Sequence, residues 1–140
     1  VKTAAAIGVA IAVGALAFVL FLHARPEQGT CAAGMVRLSN IDDQETLFVD
    51  GKAMGTAGFG QPSAISLGEL CSIRHIRVEV YNRSLGYAWG IELFSNGKRI
   101  FRDVRGQAGV QGANHDDLTR QNQIVHTVVL DSDGHVLTRS

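Results

Sequence analysis

No charged side chain interrupts the apolar run from Thr3 to Leu22, and His23, Arg25 and Pro26 follow it directly. A helix rises 1.5 Å per residue, so about 20 residues cross the roughly 30 Å hydrocarbon core of a bilayer. The pattern predicts one transmembrane helix over residues 1–24, a polar turn-rich linker over 25–34 and a soluble domain over 35–140. A cleaved signal peptide is the competing reading, because Lys2 supplies a positive start. The run exceeds the about 7–15 residues of a signal h-region, and Leu22-His23-Ala24 lacks a small residue three places before a cut, so the helix is expected to be retained. Small residues recur at every fourth position in two rows, Ala4-Gly8-Ala12 and Ala6-Ala10-Gly14. Such rows let a second helix approach closely and are read as a helix-docking face, although Ala and Gly are frequent in membrane helices without one.

After the linker the apolar period changes to two. Met35–Ile41 alternates Val36 and Leu38 with Arg37 and Ser39. Thr46–Asp50 runs into Asp50-Gly51, a favoured hairpin turn. The clearest strand is Ile76–Tyr81, with Ile76, Val78 and Val80 on one face and Arg77, Glu79 and Tyr81 on the other. Tyr87–Phe94 places Trp89, Ile91 and Leu93 together, and Asn96-Gly97 turns the chain into Arg99–Phe101. A polar stretch from Asp103 to Gln123 is the longest expected loop. A last hairpin takes Ile124–Leu130 through Asp133-Gly134 to Val136 and Leu137. Seven or eight short strands with no helix of ten or more residues between them predict an all-β sandwich rather than a parallel α/β sheet. The 16 glycines fit many turns.

Charge narrows the partners. Thirteen Lys and Arg balance 13 Asp and Glu, so composition offers no cationic surface for nucleic acid or anionic lipid. Cys31 and Cys71 stand 40 residues apart, which excludes CxxC redox and zinc spacings. On the oxidising side of a membrane they would pair, and two separate buried thiols is the alternative. Flanking charge barely orients the helix, with Lys2 and the amino terminus against Arg25 and His23. The cysteines favour a cytoplasmic amino terminus and a periplasmic or extracellular domain in the cell membrane.

Candidate chemistry is sparse. No Gly-x-Ser-x-Gly is present and no nucleophile stands out, so the chain is read as a non-enzyme without cofactor. Asp131 and Asp133, in Asp131-Ser132-Asp133-Gly134-His135, begin like a calcium loop, but no Glu follows within the sequence at the spacing such a loop needs, and Asp-x-Asp-Gly also suits a hairpin turn. His115-Asp116-Asp117 is the other ligand-rich run. Gly55–Gly60 has a phosphate-loop composition but precedes no helix, so it reads as a flexible loop. Asn82-Arg83-Ser84 satisfies the glycosylation sequon. Among the aromatics, Trp89 is expected in the core, while Tyr81 and Tyr87 are the candidates for exposed binding rings.

Ile41–Lys52 with Gly55, Ile65-Ser66-Leu67 and the strand ending Val80-Tyr81-Asn82 resembles the galactose-binding-like jelly rolls, in which a strand displays an "NGK"-like hairpin and a later strand ends in Asn. Asp50 stands where Asn is usual, and no ligand residue of that family is carried over. The resemblance implies a jelly-roll-like sandwich and names a glycan as the candidate ligand. The expected function is an accessory subunit, docked through its helix and its sandwich onto other membrane-protein subunits of a respiratory, photosynthetic or secretion complex. A membrane-anchored carbohydrate-binding module is the alternative. A pilin-like filament subunit comes third, because Ala5 occupies the position where type IV pilins carry Glu.

Overall fold

The computed structural model describes residues 30–83, 86–109 and 120–140. The apolar run and its Ala and Gly rows, and also His115-Asp116-Asp117, lie outside the described residues. Among the described residues no helix is long and apolar enough to cross a membrane.

Among the described residues, nine antiparallel strands form two sheets. They are β1 (Ala33–Ser39), β2 (Gln44–Val49), β3 (Lys52–Gly58), β4 (Ser63–Glu69), β5 (Ile76–Asn82), β6 (Trp89–Ser95), β7 (Lys98–Arg105), β8 (Gln123–Leu130) and β9 (Val136–Arg139), with a 3-10 turn over Leu70–Ser72. One sheet has the order β4-β1-β6-β7 and the other β3-β2-β5-β8-β9. The expected all-β sandwich is therefore observed, with β4 as the strand that the hydrophobic pattern had not marked out. Its alternation is weak because Ala64, Ser66 and Gly68 fill the outward positions.

Period-two alternation makes the core. Val36 and Leu38 of β1, Ile91 and Leu93 of β6 and Phe101 of β7 face Leu47 of β2, Ile76, Val78 and Val80 of β5, and Val128 and Leu130 of β8. Each fully buried branched side chain contributes about 1.5–3 kcal/mol relative to exposure. On the outer side of β5, Arg77 pairs with Glu79 at 3.3 Å and lies 4.3 Å from the centroid of Phe48.

Turn chemistry sets the register. Asp50 and Gly51 have φ of +47° and +83°, Asn96 and Gly97 +48° and +76°, as a two-residue turn with both central residues left-handed requires. Asp50 does more than turn, since its Oδ1 accepts the backbone N–H groups of Arg74 at 3.1 Å and His75 at 2.8 Å, tying the β2–β3 hairpin to the start of β5. β1 ends at Ser39 rather than Ile41 because Asn40 takes a φ of +52°. Ile41 then turns into the core. Cys31 and Cys71 form a disulfide with Cα atoms 5.7 Å apart, joining the chain just before β1 to the 3-10 turn after β4.

Candidate functional site

Polar and aromatic side chains gather where the start of β6 and the end of β7 meet the start of β8 and the end of β9. Trp89 projects from β6 into the sandwich and stacks on His126 of β8, with ring centroids 4.2 Å apart and planes 12° apart. Tyr87 lies beside Trp89 at 5.9 Å and 9°, and the Arg105 guanidinium sits 5.7 Å from the Tyr87 centroid and 5.6 Å from that of Trp89. Asp103 of β7 joins the group: its Oδ1 accepts the indole N–H of Trp89 at 3.2 Å, its Oδ2 meets His126 Nε2 at 3.0 Å, and Arg139 Nη2 of β9 stands 3.5 Å away. The other ring nitrogen, His126 Nδ1, bonds the carbonyl oxygen of Ser140 at 2.7 Å. These residues, with Val104, Arg120 and Val125, line an open cleft of about 360 Å³.

The bonding pattern limits the chemistry. A general base needs a nitrogen directed at the proton it removes. Both His126 nitrogens are engaged by protein acceptors and its ring is covered by Trp89, so the Asp103–His126 pair locks the two sheets together and presents no base to the cleft.

A second polar point lies in the same cross-strand row. Glu45 of β2, opposite Val80, and His126 of β8, opposite the same Val80, flank that residue on the inner face. Glu45 is fully buried, its Oε1 accepts the Gly90 backbone N–H at 3.1 Å, and its Oε2 has no partner. Burial pushes its carboxyl up to about 8, against the smaller lowering effect of the Gly90 bond. It is a neutral acid at pH 7. Gly90 is required here, since a Cβ would fall 2.6 Å from Ser39 Oγ and 2.8 Å from the Ser39 carbonyl oxygen. Asn40 closes this end of the sandwich: its Nδ2 reaches the carbonyls of Trp89, Arg105 and Gly106, and its Oδ1 accepts the Ala108 N–H.

The residues singled out from sequence are dispersed. Trp89 is in the core as expected. Tyr87, expected to be exposed, is 7 % exposed, because it packs beside Trp89 under Arg105; Tyr81 is half-buried on the outer side of β5. The two tyrosines are not brought together, since they lie on opposite sides of the sheet that holds β5. Asp131 caps the β8–β9 turn: its Oδ1 accepts the N–H groups of Asp133 and His135, both at 2.9 Å, and its Oδ2 meets His135 Nδ1 at 3.0 Å. Desolvation raises its carboxyl, but the His135 N–H, the His135 ring, the Asp133 N–H and the His135 charge outweigh it and hold it below the usual range. Ligand atoms of Asp131, Asp133 and His135 lie within 4.8 Å of one another, yet those of Asp131 already serve the turn. Gly55–Gly58 is strand, paired with β2. Asn82 is fully buried and its Nδ2 donates to the Arg120 carbonyl, which leaves no room for a glycan.

Asp103, His126, Glu45 and Asn40 were missed from sequence. An inward charge within an alternating strand is the only signal available for Glu45 and His126, and none exists for Asn40. No protein-family model, no curated protein and no solved structure matches the chain.

Proposed function

We propose that the chain is a non-catalytic, single-pass membrane protein whose extracytoplasmic β-sandwich serves as an accessory or stabilising subunit of a larger membrane-protein complex, of respiratory, photosynthetic or secretion type. The observation that carries this reading is the Cys31–Cys71 disulfide at the start of the domain. Such bonds persist in oxidising compartments, and it follows closely on an apolar run of bilayer length. The internal bonding of both His126 nitrogens and of Asp103 supports a binding role over a catalytic one.

The alternative of a membrane-anchored carbohydrate-binding module belongs with the galactose-binding-like jelly-roll resemblance. A two-sheet antiparallel sandwich is compatible with that resemblance, but architecture does not carry function. Stacking on a sugar needs an open ring face, and the buried Tyr87 and Trp89 weaken this second reading.

The test is extraction of the full chain from its native membrane in mild detergent, followed by size exclusion and mass spectrometry. Elution with integral membrane partners is expected. Recovery as a lone monomer under every mild condition, or release from the membrane by alkaline carbonate, counts against the proposal.

A further inference from the structure

We infer that the outer face of the four-stranded sheet docks an acidic segment of a partner protein, gripped by Arg37, Arg99 and Arg102 around Glu92. This rests on the accessory-subunit reading and names the surface and the partner chemistry it would use.

Register builds the face. Arg37 of β1 and Arg102 of β7 both stand opposite Glu92 of β6, so one row crosses three strands. The Glu92 carboxylate accepts from Arg99 Nη1 at 2.8 Å and from Arg37 Nη1 at 3.3 Å, with Arg102 Nε 3.9 Å away. The Glu92 side chain is 9 % exposed, those of Arg37 and Arg99 52 % and that of Arg102 57 %. One sunken carboxylate therefore holds three guanidinium groups in place and balances one of their three charges, leaving a local excess of two positive charges (3 − 1) on a chain that is neutral as a whole. Arg37 also lies 5.5 Å from the centroid of Phe94 on the same side. Of the other described carboxylates on this sheet, Glu69 is at the far end of β4, opposite Ala33, and Asp103 faces His126 inside.

The geometry favours an extended polyacid over a single small oxyanion. The point on which the three arginines converge is already filled by Glu92, so a lone phosphate would have to displace it. The free sides of the forks are spread out: with strands about 4.8 Å apart, the Arg37 and Arg102 backbones are about 10 Å apart, and an extended chain at about 3.3 Å per residue spans that in three residues. Carboxylates spaced along such a segment can meet separate guanidinium forks, each with five N–H donors.

The test titrates fluorescently labelled hexaglutamate into the full chain held in a zwitterionic detergent, followed by anisotropy. Saturable binding is expected, weakened about tenfold or more as salt rises from about 50 to about 500 mM. Arg37→Gln with Arg102→Gln is expected to weaken it about tenfold, and Arg102→Gln alone, which leaves the two closer pairs to Glu92 intact, about threefold. Arg74→Gln with Arg83→Gln, the same charge change at exposed positions elsewhere, should leave it unchanged. Equal weakening by both double variants, absence of hexaglutamate binding, or preference for inorganic phosphate or for vesicles of phosphatidylglycerol overturns the inference. If native partners co-purify undiminished with the Arg37→Gln, Arg102→Gln chain, this docking face fails while the accessory reading stands. If the chain travels alone yet hexaglutamate binds through these arginines, the accessory reading fails and the acid-binding face stands.

Discussion

Glu45 has one oxygen satisfied by a backbone N–H and the other buried without a hydrogen-bond partner, an arrangement in which the ionised form carries a large desolvation cost. Folding moves its titration from 4.5 to about 8. A folded value above the unfolded one means that folding takes up a proton, so the stability that this group contributes is complete below 4.5 and is lost as pH rises through 8. Roughly 3 kcal/mol of it is gone by pH 7. Glu45→Gln should keep the Gly90 bond through its amide oxygen and flatten that slope. Denaturant midpoints at about pH 5 and pH 8 measure it, and parallel slopes in the two proteins would refute it. Asp103→Asn tests the neighbouring lock, because the amide oxygen can replace only one of the two carboxylate acceptors, while the amide NH2, itself a donor, faces the N–H groups of either Trp89 or of His126 and Arg139. A loss of about 1–3 kcal/mol is expected, followed through the emission of Trp89, the sole tryptophan. A loss below about 0.5 kcal/mol, the range of an ordinary surface substitution, would show that the carboxylate does not hold the stack.

At the scale of elements, what the strands do was legible wherever one face alternates strictly. Ile76, Val78 and Val80, and Trp89, Ile91 and Leu93, sit in the core as the period of two requires. The Asp50-Gly51 and Asn96-Gly97 turns fall at the expected positions because few residues other than Asn, Asp and Gly accept positive φ in succession. Gly97→Val should accordingly cost about 1 kcal/mol or more while leaving the β6–β7 pairing intact; an unchanged thermal midpoint would contradict the turn assignment. β4 escaped notice because small outward residues blur its alternation. Its pairing to β1 supplies the order that periodicity lacks. Asn40 has no local signature, since its partners at Trp89, Arg105, Gly106 and Ala108 come from two other strands and the loop after β7.

For the whole molecule, the Cys31–Cys71 bond closes 40 residues that include β1 to β4. Replacing both cysteines with serine should lower stability by about 4 kcal/mol in the chain-entropy model, read from denaturation of oxidised wild type beside the double variant; equal midpoints would refute it. Local chemistry in the chain was enough to determine several things: an apolar run of bilayer length, a two-layer antiparallel β domain, the sites of its tight turns and two cysteines free to pair. All of these depend on short-range spacing or on side-chain type alone. Which polar groups meet was decided only by the tertiary structure. The neutral total of 13 positive and 13 negative side chains hid a sheet face where three arginines surround one glutamate. Likewise, Glu45 and His126, 81 residues apart in sequence (126 − 45), flank one valine in the interior. The physical reason is register. Pairing brings together side chains from strands far apart along the chain, and burial between the sheets then keeps the Glu45 carboxyl neutral.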